Sequence, residues 1–290
     1  VTDRDRRPVL GLLALLRVGT LFSPAADVVA SAAIVGAPAD GALARAAVAS
    51  VCLYAAGMVW NDVADRRVDA VQRPERPLVR GDVPLALAVL LGVALLALGV
   101  GISPCRGHHA LIAGLVLAYD FGSKRLPALG VLLMGSLRAL NLGVGFALAP
   151  DAPPAVREAL ATACGCYGLY IAAVTMLGIF EDEPSVRGRA VASLQAAPPL
   201  AALFALAVVQ GGLWPAPAAC AVPALWFLRR NTRMRAWPQA EIRASMRLLL
   251  LGTMLFTAGL TWAAGRPEHA AAIAVAIPVA RWIARRIALT

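Results

Sequence analysis

Residues 43–69 read LARAAVASVCLYAAGMVWNDVADRRVD. Arg45 is the only charged residue between Leu43 and Asn61, and a run of that length suits a helix crossing the roughly 30 Å hydrocarbon core of a bilayer. The charges that follow are ordered. If the helix continues past the membrane edge, Asp62, Asp65 and Asp69, spaced by three and four residues, stack on one face. Three carboxylates so close repel one another unless something positive lies between them. Mg²⁺ takes oxygen ligands and is commonly held by one or two carboxylates together with phosphate oxygens. A solvated loop obeying the positive-inside rule would account for Arg66 and Arg67, but that rule does not require collinear acids. The pattern therefore points to a metal-bridged diphosphate, with Asn61 at its membrane end.

Outward from this stretch the chain keeps the same rhythm. Of its 290 residues 60% are apolar and 15% charged, and the mean hydropathy is +0.72, beyond what a soluble surface tolerates. Apolar runs at 9–34, 43–61, 84–103, 109–121, 128–148, 156–180, 191–210, 213–228, 246–264 and 269–287 give ten candidate spans. The fourth and eighth are short, so nine is the alternative count. The first is too long for a signal-peptide core and is read as a retained helix. Alternate loops are rich in arginine: Arg4, Arg6 and Arg7; Arg66 to Arg80; Lys124 and Arg125; Arg187 and Arg189; Arg229 to Arg243; Arg281 to Arg286. This alternation places both termini and the acidic cluster in the cytoplasm. The predicted architecture is all-α, a polytopic bundle of nine or ten transmembrane helices around a central cavity, forming a single domain over residues 1–290.

The net charge of +10 is spread over loops without interleaved aromatics, which excludes a nucleic-acid stripe and leaves orientation signals that touch anionic lipid. One lysine among many arginines, with abundant alanine, suggests a bacterial source and hence an inner membrane. The five cysteines are odd in number and mostly within apolar runs, where they pack; no disulfide framework is expected. His108, His109 and His269 are expected at the non-cytoplasmic interface.

The run N-D-x-x-D-x-x-x-D, followed by Arg73, Pro74, Glu75, Arg76 and Pro77, resembles the first signature of the UbiA superfamily of intramembrane prenyltransferases. Ala118, Tyr119 and Asp120 with Lys124, Arg125 and Leu126 resemble the family's tyrosine-and-basic loop, and Arg138, Ala139, Leu140 and Asn141 form a familiar run in the fifth span. The likeness covers roughly the first two thirds of the chain. It implies Mg²⁺-dependent transfer of a prenyl group from an isoprenyl diphosphate to a hydrophobic acceptor, often aromatic. Asp62, Asp65 and Asp69 would hold metal, and Arg73, Arg76, Lys124 and Arg125 would hold diphosphate. Tyr119 would face the allylic cation with its ring, or else simply pack at the interface.

The family's second D-x-x-x-D should follow the sixth span, facing the first cluster across the cavity. Here Glu181, Asp182 and Glu183 are consecutive and Pro184 discourages further helix. Either the loop folds so that Glu181 and Asp182 still bind a second Mg²⁺, or a metal has been lost. Charges inside spans usually face an interior, because each costs at least ~2.5 kcal/mol in hydrocarbon. Arg17 and Arg138, the latter sharing a face with Asn141, are candidates to grip phosphate oxygens. The alternative is a buried structural pair such as Arg17 with an acid on another helix; Asp27 is assigned a structural role. The altered second cluster leaves a cyclase in the same superfamily as one alternative, and a transporter or lipid-binding protein on the same fold as another. Oligomeric state is not encoded legibly.

Overall fold

The structure is a computed structural model, described over residues 3–122, 126–180, 185–187, 189–210, 221–222, 225–226, 229–230, 233 and 236–288. In chain order the elements are α1 (Asp3–Leu15), a 3-10 turn (Val18–Thr20), α2 (Phe22–Val35), α3 (Gly41–Gln72), α4 (Pro77–Arg80), α5 (Leu85–Ile102) and α6 (Arg106–Phe121). There follow α7 (Pro127–Leu142), α8 (Gly145–Leu148), α9 (Pro154–Ile179), β1 (Ser185–Arg187), α10 (Arg189–Gln210), β2 (Ala236–Pro238), α11 (Gln239–Ala263) and α12 (Pro267–Ala288). The protein is an all-α membrane bundle, as lipid demands of a chain that must satisfy its backbone internally. Among the described residues seven helical stretches are long and apolar enough to cross a membrane. The runs at 109–121 and 269–287 are helical as well, within α6 and α12. The eighth expected run, 213–228, lies largely outside the described residues, so the choice between nine and ten spans stays where the sequence put it.

Two boundaries differ from expectation in ways that shape the site. The first span is broken between Leu15 and Phe22, with Arg17 in the left-handed region at φ 48° and ψ 50°. The second runs on to Gln72, making α3 32 residues long. That is about 48 Å of helix against about 30 Å of hydrocarbon, so the acidic end projects beyond the core. Asp40 starts α3 by accepting from the amides of Ala42 (2.8 Å) and Leu43 (3.1 Å). Pro74 helps stop it just after Arg73.

The chain groups into two compact units. The first, residues 1–25, 40–122 and 275–290, contains α1, α3, α4, α5 and α6. Its apolar centre joins Leu15, Val59, Leu78, Val83 and Ala88. Gly92 of α5 lets the Trp60 indole lie against the helix, since a Cβ there would stand 2.8 Å from the ring. Trp60 in turn meets Phe121 edge to face at 5.6 Å between centroids, which brings the end of α6 beside the end of the membrane part of α3. His109, expected at the interface, is fully buried here, bonded to Ser50 Oγ (3.0 Å) and Ser103 Oγ (2.7 Å). A histidine with both ring nitrogens satisfied costs little to bury.

The second unit, residues 26–39 and 123–274, centres on α9. Gly135 and Gly168 allow α7 and α9 to approach until a Cβ on Gly135 would meet the Gly168 carbonyl at 2.7 Å. Tyr170 and Phe256 stack at 5.9 Å, with Tyr167 tilted against Phe256 at 5.4 Å. Strands β1 and β2 pair antiparallel with Val186 opposite Trp237, tying the segment after α9 to the start of α11.

Candidate active site

The continuation of α3 puts Asp62, Asp65 and Asp69 on one helix face, the condition the spacing required. Asp62 and Asp69 are buried and Asp65 half-buried, although all three lie beyond the apolar run. What buries Asp62 is a pair of arginines from two directions. After α3 ends, Arg73 to Arg76 form a turn closed by the Arg76 amide on the Arg73 carbonyl (3.0 Å), and Pro77 opens α4. This turn sends Arg76 back along α3, where its Nη1 donates to Asp62 Oδ1. Arg17 arrives from the break in the first span: its Nη2 donates to the same Oδ1 at 3.1 Å and its Nη1 to Met58 Sδ at 3.3 Å. Arg76 also lies in the field of Asp69, as does Arg73, while Asp62 and Asp65 oppose the Asp69 charge. Acids and cations thus interleave along this end of α3.

Tyr119, at the end of α6 in the same unit, is half-buried and stands in the field of Asp65 and Asp120. Asp120 itself is buried, only 4% exposed. Its place in the sequence, an acid closing a span just before a basic loop, is the signal that could have singled it out. Asn61 is half-buried and Arg73 exposed. Lys124, Arg125, Glu181 and Asp182 lie outside the described residues, and with them the second acidic cluster. α9 ends at Ile179.

Arg138 and Asn141, candidates for the diphosphate, are engaged elsewhere. Both are buried in the second unit and hold Asp27. Arg138 Nη2 lies 3.1 Å from Asp27 Oδ2, Asn141 Nδ2 donates to that oxygen at 2.8 Å, and the Tyr167 hydroxyl donates to Oδ1 at 2.9 Å. The Arg138 guanidinium also covers the Tyr167 ring at 5.3 Å. A carboxylate with no exposed surface needs this many donors, because an uncompensated charge in hydrocarbon is the costlier state. The structural role expected for Asp27 matches this network, and the buried-pair alternative describes Arg138 better than a phosphate grip. Arg17 likewise pairs with an acid on another helix, Asp62.

Among the described residues no group of three or more His, Cys, Asp or Glu side chains is drawn together as a cage for an ion. The donor set fits Mg²⁺ in its other mode, in which one or two carboxylates share the ion with phosphate oxygens and water. Asp62 with Asp65 or Asp69 would supply those carboxylates, and Arg17, Arg73 and Arg76 would supply donors for the phosphates.

Known proteins with similar chains bear on this arrangement. The model of the UbiA prenyltransferase family matches residues 21–252. A digeranylgeranylglyceryl phosphate synthase of Methanopyrus kandleri is 27% identical over 274 residues, covering 90% of this chain and 93% of its own. A UbiA homolog from Aeropyrum pernix K1, solved in its apo form, superposes with a TM-score of 0.63 at 20% identity, over 83% of this chain and 96% of that one. A UbiA homolog from Archaeoglobus fulgidus, solved with GPP and Mg²⁺, gives 0.55 at 15% identity, over 89% and 99%.

Proposed function

The chain belongs to the UbiA prenyltransferase family, and from that premise we propose that it transfers a prenyl group from an isoprenyl diphosphate to a lipid acceptor, at the acidic end of α3 and with Mg²⁺. The observation that carries this reading is the gathering of Arg17 and Arg76 on Asp62, on a helix face that also presents Asp65 and Asp69. The whole chain, residues 1–290, acts as one membrane domain in this reading.

In this reading Asp62, with Asp65 and Asp69, holds Mg²⁺, which when bound offsets the charge that develops on the departing diphosphate. Arg17, Arg73 and Arg76 bind and orient the diphosphate oxygens, with Lys124 and Arg125 completing the set. The allylic C–O bond breaks with its electron pair going to the diphosphate, and the arginines stabilise that leaving group electrostatically. The acceptor hydroxyl attacks the allylic carbon and gives up its proton to the departing diphosphate. The Tyr119 ring stabilises the developing cation through its face. Glu181 and Asp182 are proposed for a second Mg²⁺ on the grounds of sequence position alone.

The name of the Methanopyrus relative makes its product a glyceryl phosphate bearing prenyl chains. A glyceryl phosphate lipid is therefore the leading acceptor here, ahead of the aromatic acceptor that the motifs alone suggested. The matched relatives are archaeal, so a bacterial source rests on residue usage only. The cytoplasmic orientation rests on the arginine-rich loops. The test supplies purified protein in liposomes with Mg²⁺, labelled geranyl, farnesyl or geranylgeranyl diphosphate, and either a monoprenyl glyceryl phosphate or a hydroxybenzoate. Labelled ether lipid in the first arm is expected. Diphosphate release with no labelled acceptor in either arm would point to the cyclase instead, and no release at all would point to a transporter or binding protein.

A further inference from the structure

Two guanidinium groups meet one carboxylate oxygen, and each is brought there by a separate structural device. Arg76 comes by the turn that follows α3, and Arg17 by the break between α1 and α2. Among the described residues Arg17 is the one non-glycine in the left-handed region, a conformation that an ordinary side chain rarely adopts. The turn beyond it is pinned: a Cβ on Gly19 would stand 2.7–2.9 Å from the Cβ, Cα and backbone nitrogen of Ala284 in α12. The backbone is thus held where Arg17 reaches Asp62.

Asp62 is only 2% exposed, and two positive charges already compensate its single negative one. A divalent cation arriving alone would have to displace two guanidinium groups from that oxygen. The other contact of the Arg17 guanidinium is the Met58 thioether, a weak acceptor. A diphosphate changes this, because its oxygens offer both arginines bidentate acceptors of higher charge.

We infer that Arg17 and Arg76 hold Asp62 through Oδ1 and keep the carboxylate from a metal until a diphosphate draws them off, so that the cation and the diphosphate bind only together. This rests on the reading of Asp62 as a ligand. It assigns the arginines a guard role as well as a binding one, and it requires that removing either should act with opposite sign on the two ligands. An opposite charge beside a carboxylate weakens its hold on a proton by one to three pH units, and a similar factor, at least about tenfold, applies to a metal ion.

The test uses the full chain in detergent or nanodiscs. Binding of Mn²⁺ alone is read by electron paramagnetic resonance, and retention of labelled inorganic diphosphate is read at saturating Mn²⁺. In the parent, Mn²⁺ alone binds weakly. Arg17→Gln and Arg76→Gln each tighten Mn²⁺ binding about tenfold and weaken diphosphate retention by a similar factor. Arg17→Lys, which keeps the charge, leaves Mn²⁺ binding near that of the parent and separates the charge effect from loosened packing. Gln variants that bind Mn²⁺ no tighter than the parent, while Asp62→Asn loses it, would overturn the guard role and leave the ligand role of Asp62 standing. An Asp62→Asn variant that binds Mn²⁺ as the parent does would remove the underlying reading and this inference with it.

Discussion

Asp27 and Asp62 are both buried carboxylates served by arginine, yet they answer to different demands. Asp27 lies within an apolar segment, and Arg138, Asn141 and Tyr167, which donate to it, all come from membrane helices. Removing Arg138 leaves that carboxylate uncompensated, so Arg138→Met should cost about 3 kcal/mol or more, seen as an apparent thermal midpoint lower by roughly 5–10 °C in detergent. Asp27→Asn in the same background should recover part of the loss. Neither partnership was legible in the chain: Asp27 and Arg138 are 111 residues apart, Arg17 and Asp62 45, and a lone sequence gives types and spacing but not long-range pairs. The three acids of α3 were legible because their spacing alone decides whether they share a helix face.

At the scale of elements, polarity marked where the chain leaves the membrane and not where the helix ends. The apolar run stops at Asn61 while α3 continues to Gln72, and the sequence sign of its end is Pro74. The break in the first span had a weaker sign. Gly19 stands within it, but a lone glycine in an apolar run does not mark a break, and a hydropathy window averages over one bent turn. Close helix approach was equally silent, since a glycine in an apolar run reads the same whether it packs or faces lipid. Gly92 and Gly101 of α5 separate the two cases: Gly92 lies under the Trp60 ring, and nothing stands within 4 Å of a Cβ on Gly101. Gly92→Ala should destabilise by about 1–3 kcal/mol through overpacking, whereas Gly101→Ala should be neutral or slightly stabilising. Thermal melts of the two variants side by side decide it.

For the whole molecule, composition and charge alternation established a polytopic helical membrane protein, and the family motifs placed its chemistry at one end of the second span. Alternating arginine-rich loops spoke to orientation, while the acceptor and the prenyl length depend on side chains that no spacing rule reaches. The central claim is that the aspartates of α3 bind Mg²⁺ and diphosphate for prenyl transfer. The direct measurement is turnover of labelled prenyl diphosphate in membranes carrying Asp62→Asn or Asp65→Asn, with protein level and melting point checked in parallel. Loss of transfer by about a hundredfold or more in folded protein is expected, given what a lost electrostatic contact to a leaving group typically costs. Unchanged turnover in either variant would contradict the account.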